Sequence, residues 1–97
     1  MTDSSGPTVT DNASTNRYEA RIGEEMAGYA EYGREGDRIT FLHTAVEPAF
    51  EGKGVGSALA RDALDDVRAR GETVVPQCAF IAAYIDKHPA YADLVAS

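Results

Sequence analysis

The chain has one cysteine, no tryptophan and four prolines among its 97 residues. A lone cysteine excludes an internal disulfide framework and any metal cluster built from cysteines alone, and no metal is expected. No apolar run approaches the ~20 residues that a membrane-spanning helix requires, so no membrane partner is expected. The N-terminal stretch MTDSSGPTVTDNASTN lacks a basic region followed by an apolar one, which argues against a secretory signal and for a cytoplasmic setting. Basic side chains are also scarce: 9 Lys and Arg stand against 16 Asp and Glu, for a net charge of −7. Phosphate backbones are bound by clustered Lys and Arg, so nucleic acid is not an expected partner. The acidic balance has two readings, attraction of a cationic amine or plain solubility, and the interspersion of Arg with acidic residues favours solubility.

The hydrophobic fraction of 43% is ordinary for one small globular domain with a single core. Residues 1–16 are rich in Ser, Thr, Asp, Asn and Gly and read as a disordered polar tail, leaving 17–97 as the domain. From Arg17 the pattern changes. RYEARI alternates, with Tyr18, Ala20 and Ile22 on one face, and MAGYAEYG makes a second extended run. RITFLHTAV is the strongest strand signal, with Ile39, Phe41, His43 and Ala45 on one face and Thr40, Leu42, Thr44 and Val46 on the other. GEE and GREGD carry the turn chemistry of hairpins, so three consecutive antiparallel strands are expected. Beyond the glycine stretch, Leu59, Ala60, Ala63, Leu64 and Val67 recur at helical spacing, with Ser57 a candidate cap and Gly71 a stop. ETVVPQC reads as a short buried strand and AFIAAYIDKH as a second helix ending near Pro89. The expected order is β-β-β-α-β-α, an α/β (α+β) domain with a compact antiparallel sheet.

The segment FEGKGVGS (50–57) places three glycines at the entrance of the best helix, where each costs about 1 kcal/mol relative to alanine. Unpaired amides at a helix start, the helix dipole and a backbone without side chains together suit an anion. Lys53 adds a positive charge. A P-loop needs Gly-Lys followed by Ser or Thr, and Lys53 is followed by Gly54; a dinucleotide fingerprint from Gly52 needs glycine at position 57, where Ser57 stands. The remaining readings are another phosphate ligand or a hinge with no ligand.

EGKGVGSALA resembles the acyl-CoA-binding motif Q/R-x-x-G-x-G/A of the GNAT superfamily of N-acetyltransferases, with Gly54 and Gly56 on its small positions. The resemblance extends to the short single-domain GNAT-like proteins: HTAVEPAFEGKGVGS (43–57) and VVPQCAFIAAYIDKHPAYADL (74–94) both follow their patterns. It implies the GNAT, or acyl-CoA N-acyltransferase, fold and acetyl-CoA as acyl donor. It also implies that amides of Gly52, Lys53, Gly54, Val55, Gly56 and Ser57 hold the CoA pyrophosphate, while Thr44, Ala45 and Val46 pair with the pantetheine arm. Glu51 departs from the pattern. A carboxylate there repels a pyrophosphate, so its side chain is expected to turn away.

Acetyl transfer to an amine needs a base, a polarised carbonyl and a proton for the leaving thiolate. His43 is the candidate base, with silent packing beside Ile39 and Phe41 as the alternative. Cys78 closes the last strand at a helix start, where a thiol can be activated. It reads as an acyl acceptor, as an acid, or as a small buried residue. Tyr84 is the third catalytic candidate, near where larger GNAT enzymes carry a tyrosine acid; packing is its alternative. His88 reads as a cap or surface group. The leading expectation is an acetyl-CoA-dependent N-acetyltransferase acting on an unidentified small or protein amine, as a monomer or weak homodimer. The rival is a CoA-binding or interaction module with little or no transferase activity, favoured by the absence of elements that shape an acceptor pocket.

Overall fold

Alternating apolar residues and glycine turns build four successive antiparallel strands, which the computed structural model describes within residues 6–96. These are β1 (Thr8–Asn12), β2 (Arg17–Ile22), β3 (Glu25–Glu35) and β4 (Arg38–Val46). A 3-10 turn at Pro48–Phe50 leads to helix α1 (Val55–Ala69), strand β5 (Thr73–Pro76), helix α2 (Ala79–Lys87) and a final 3-10 segment, Pro89–Leu94. The sheet order is β1-β2-β3-β4-β5, with β5 parallel to β4 and the other neighbours antiparallel. Two-residue turns at Gly23-Glu24 and Gly36-Asp37 close the expected hairpins, since Ile22 faces Glu25 and Glu35 faces Arg38.

Strand β1 corrects the expected tail. Residues 1–5 lie outside the described residues, but Thr8–Asn12 pairs with β2 in register from Thr8↔Arg21 to Asn12↔Arg17. Polar composition conceals the strand because its anchors are mostly ionic. Asp11 accepts a hydrogen bond from the Tyr32 hydroxyl and lies 3.0 Å from the guanidinium of Arg70, the C-cap of α1. Val9 adds an apolar contact with the core. Tyr18 donates to Asp66 of α1 at 2.6 Å, and Arg34 pairs with Glu72 in the turn after the helix at 2.9 Å, so the same polar seam ties β1, β2 and β3 to the end of α1 and the turn that follows it.

Helix α1 buries Leu59, Ala60, Ala63, Leu64 and Val67 completely, as their spacing predicts. Each buried leucine contributes roughly 1.5–3 kcal/mol. Ile81 and Ile85 of α2 join the same core as Tyr18, Ile39 and Phe41 of the sheet. Both helices thus cover one face, and among the described residues no helix covers the other. On that open face Glu19 is buried only by its neighbours: Arg17 at 2.8 Å, Arg21 at 3.5 Å and Asn12 at 3.3 Å. Arg17 in turn lies 4.6 Å over the Tyr29 ring.

The faces of β4 also differ from the expected alternation. Glu31 pairs with His43 and Tyr32 with Phe41, so Leu42 has no partner and forms a bulge. The extra residue reverses the phase of everything after it. Ile39 and Phe41 face the core as expected, but beyond the bulge it is Thr44 and Val46 that face inward, Thr44 opposite the buried Ala30. His43 emerges on the open face, its ring 6.2 Å from Tyr29, so it is exposed and not packed beside Ile39 and Phe41.

Two predictions follow from this packing. A Cβ at Gly28 would lie 2.6 Å from the Ala45 carbonyl oxygen and 3.1 Å from Val55 Cγ1, whereas one at Gly33 meets open space. Gly28→Ala is expected to destabilise by about 1–3 kcal/mol in urea unfolding, with Gly33→Ala within about 0.5 kcal/mol of the parent. Burial pushes the Glu19 carboxyl up, but hydrogen bonds from Arg17 and Asn12 and the guanidinium charges outweigh it and hold the group below its ordinary 4.5. Burial likewise raises Asp66, and hydrogen bonds from Tyr18 and Arg70 bring it below its ordinary 3.8. Depressed carboxyl values stabilise the fold above the ordinary range and lose that contribution as pH falls through the folded values. Glu19→Gln should therefore be less stable than the parent at neutral pH, with the difference shrinking as pH falls below the ordinary carboxylate range; a difference that does not shrink with acidification would contradict the assignment.

Candidate functional site

Strands β4 and β5 run together only briefly. Their parallel ladder extends from Arg38↔Thr73 to Phe41↔Pro76, and Pro76 has no N–H with which to continue it. The Cys78 N–H donates to the Phe41 carbonyl at 2.8 Å as the last link before the chain turns into α2. Strand β4 continues to Val46. On its edge away from β3, the backbone from His43 to Val46 has no backbone partner among the described residues. Extended backbone with unmet hydrogen-bonding capacity at the mouth of a cleft can take a ligand that runs parallel to it.

The cleft opens onto the glycine loop. Glu51 closes the 3-10 turn by donating to Pro48 at 3.3 Å, and Lys53 donates back to Phe50 at 3.3 Å. Gly52 and Gly54 then adopt φ of +82° and +79°, left-handed conformations that disfavour any side chain. Gly54 is the N-cap of α1, and its carbonyl accepts the first helical bond, from Ala58 at 3.0 Å. Ser57 is therefore inside the helix and not the cap, because the left-handed Gly54 lets the helix begin earlier. The amides of Val55, Gly56 and Ser57 precede the first intrahelical donor and carry the positive end of the dipole. They border a groove of about 320 Å³ lined by Val46, Phe50, Glu51, Gly52, Gly54, Val55, Gly56, Ser57 and Phe80. Glu51 is exposed and is one of the residues around this groove. Lys53 is exposed beside it.

Gly56 has a separate reason to be glycine. A Cβ there would lie 2.8 Å from Phe80 Cζ and 3.3 Å from both ring Cε atoms. The Phe80 ring, 42% exposed, thus closes the α2 side of the groove by resting on the glycine. Sequence reading missed Phe80 because an aromatic residue among alanines signals only a helix face.

The catalytic candidates do not all converge. Cys78 is 6% exposed, and its Sγ lies 3.2 Å from Thr44 Oγ1, so thiol and hydroxyl meet where β4 and β5 part. His43 is on the opposite face of the sheet, one residue along the same strand. Tyr84 lines a neighbouring hollow with Ser57, Phe80, Ala83, Lys87 and His88, stacked on His88 at 4.0 Å. His88 is the C-cap of α2, as expected. Among the described residues no group of His, Cys, Asp and Glu is arranged to hold a metal ion, and no helix is long and apolar enough to cross a membrane.

Residues 17–94 match the family model described as GCN5-related N-acetyl-transferase. Among solved structures, a GCN5-like protein from Staphylococcus aureus is similar at a TM-score of 0.70 and 20% identity, over 93% of this chain and 88% of that one. The ribosomal-protein-S18-alanine N-acetyltransferase of Escherichia coli is similar at 0.63 and 22%, over 73% of this chain and 49% of that one. A ribosomal-protein-alanine N-acetyltransferase of Brucella melitensis is similar at 0.58 and 18%, over 84% and 63%. The chain thus spans about half to two thirds of the length of these two enzymes. No curated protein matches it in sequence.

The two kinds of glycine in the loop make a distinct prediction. Gly54→Ala should cost about 1 kcal/mol in any background, because its penalty is conformational. Gly56→Ala should be destabilising beside Phe80 and close to neutral in a Phe80→Ala background. A double-mutant cycle by urea unfolding measures the coupling; additive effects would contradict the contact.

Proposed function

The chain belongs to the GCN5-related N-acetyltransferase family, and on that premise we propose that it binds acetyl-CoA in the cleft between β4 and β5 and transfers the acetyl group to an amine. The observation that carries this reading is the continuity of three features. An unpaired β4 edge runs from the Thr44–Cys78 pair to Val46, and Val46 lines the groove over the free amides of Val55, Gly56 and Ser57. That path suits a long, thin ligand with an amide-bearing arm and a pyrophosphate. The pyrophosphate meets the amides of Gly52 and of Gly54 to Ser57, the expected Lys53 amide being taken instead by the Phe50 carbonyl, and the arm pairs with the backbone of Thr44, Ala45 and Val46. Lys53 adds charge from the rim.

Acetyl-CoA supplies the thioester whose acetyl group passes to the amine nitrogen as a C–N bond forms and the C–S bond breaks. His43, exposed on the open face of the sheet, takes the proton released from the amine. The backbone amides of β4 polarise the carbonyl. Cys78, hydrogen-bonded to Thr44, donates a proton to the departing thiolate and regains one from solvent. Among the described residues no helix crosses the open face, so the acceptor approaches His43 from that side. That suits an exposed amine, and the chemical identity of the acceptor is left to experiment.

The rival reading, a CoA-binding module without transfer, draws support from the same open face, because a family fold without walls around the acceptor gives little positioning. Acetyl-CoA and CoA should raise the melting temperature, and CoA release across an amine panel distinguishes the enzyme from the module. No stabilisation at millimolar ligand contradicts both. For the enzyme, His43→Gln and Cys78→Ser should each lower kcat by about 10²-fold or more with little change in ligand affinity. Intact mass after incubation with acetyl-CoA tests covalent capture: an adduct absent from Cys78→Ser would make Cys78 an acyl acceptor in place of a proton donor. Glu51 lines an anion groove with the wrong charge, so Glu51→Gln should tighten CoA binding by about 2–5-fold at low salt. An unchanged or weakened affinity would remove the pyrophosphate from that groove.

A further inference from the structure

The open face of the sheet carries two rows of side chains that cross three strands in register. One row is Arg17, Glu31 and His43; the other is Glu19, Tyr29 and Ala45. Neighbours within a row stand one strand spacing apart, ~5 Å. Arg17 is the cross-strand cation for Glu31, yet it is drawn elsewhere. Its guanidinium lies 2.8 Å from Glu19 and 4.6 Å over the Tyr29 ring. Arg21 adds a second guanidinium to Glu19 at 3.5 Å, and Asn12 donates to the same carboxylate at 3.3 Å. Glu19 is thus buried and saturated. Glu31 is exposed and, among the described residues, joins no ion pair or side-chain hydrogen bond.

The imbalance bears on the acceptor because the other cross-strand neighbour of Glu31 is His43. His43 belongs to the part of β4 that has lost its β5 neighbour, and the Leu42 side chain just before it is 47% exposed. An imidazole, an apolar surface and a free carboxylate therefore gather around the bulge of β4. A carboxylate in contact with the reacting nitrogen would hold it as an ammonium and oppose its attack on the thioester. Set one strand away from the base, the carboxylate serves a second cation without that cost.

We infer that Glu31 determines acceptor specificity: it pairs with a second positive charge on the acceptor, a few methylenes from the amine that is acetylated. The inference rests on the reading of the β4–β5 cleft as the transfer site, with His43 on the acceptor side. The substrate class is an aliphatic diamine whose two nitrogens span at least the ~5 Å between neighbouring strands. Leu42 offers its methylenes an apolar contact. Of the two readings of the acidic balance, attraction of a cationic amine then holds at this one position.

Steady-state kinetics of the full chain with acetyl-CoA test this, using 1,4-diaminobutane and pentylamine, in which a methyl group replaces the second ammonium. The quantity read is the ratio of kcat/KM for the diamine to that for pentylamine, compared between the parent and Glu31→Gln. That comparison cancels the two equivalent amines of the diamine and its different basicity. The ratio should fall about 2–5-fold in Glu31→Gln, mainly through a higher KM for the diamine, and the effect should shrink with added salt. Glu31→Asp should keep most of the preference, and both variants should melt with the parent, since the position is exposed. A ratio unchanged in Glu31→Gln overturns the inference while leaving the transfer reading intact. So does turnover of a lysine peptide but of neither small amine. Absence of CoA release with every amine overturns the transfer reading and this inference with it.

Discussion

The Cys78 amide bound to the Phe41 carbonyl is the point on which the site depends. It ends the contact between β4 and β5, because Pro76 cannot extend the ladder and the next residues turn into α2. Strand β4 does not end with it. The bulge at Leu42 falls immediately beyond Phe41, so the strand changes phase where it loses its neighbour. One strand thereby presents Thr44 to the cleft and His43 to the open face of the sheet. Without the bulge, His43 would lie on the core face and Thr44 would turn away from Cys78. The location of an imidazole on one side of the sheet and a thiol on the other is thus a consequence of one unpaired residue.

The rest of the fold supports this break with modest means. A single hydrophobic layer joins the sheet to two helices, and a polar seam of Asp11, Tyr18, Arg34, Asp66, Arg70 and Glu72 ties its far edge to α1. Partly buried pairs of this kind are costly to break on one side only, which makes them effective at fixing the position of a polar strand such as β1. The seam lies away from the cleft. Gly28, in contrast, sets the cleft directly, since the backbone of Ala45 and Val46 and the Val55 side chain occupy the space of its missing Cβ.

Much of this was legible in the sequence and the exceptions have physical causes. Periodicity alone gives α1, whose Leu59, Ala63, Leu64 and Val67 are all fully buried. Turn chemistry gives both hairpins, and the motif resemblance gives the family. Strand β1 was hidden because Asp11 is held by a hydroxyl and a guanidinium from distant positions, which no local pattern records. The bulge was hidden because alternation through RITFLHTAV is equally consistent with an unbroken strand. The glycines of FEGKGVGS were read as serving one purpose, close approach to an anion. Gly52 and Gly54 serve the left-handed turn that opens the helix, and Gly56 makes room for Phe80. A motif can thus mark the correct place while the reasons for its residues differ one from another.

The central claim is that an acyl-CoA lies along the unpaired edge of β4 with its pyrophosphate over the start of α1. Backbone amide chemical shifts during titration of a 15N-labelled chain with acetyl-CoA test it most directly, because the contacts invoked are themselves amides. The largest changes should fall at Thr44–Val46 and Gly52–Ser57 and saturate together, with little change at Thr8–Asn12. Changes absent from both stretches, or confined to the polar seam around Asp11 and Asp66, would contradict it.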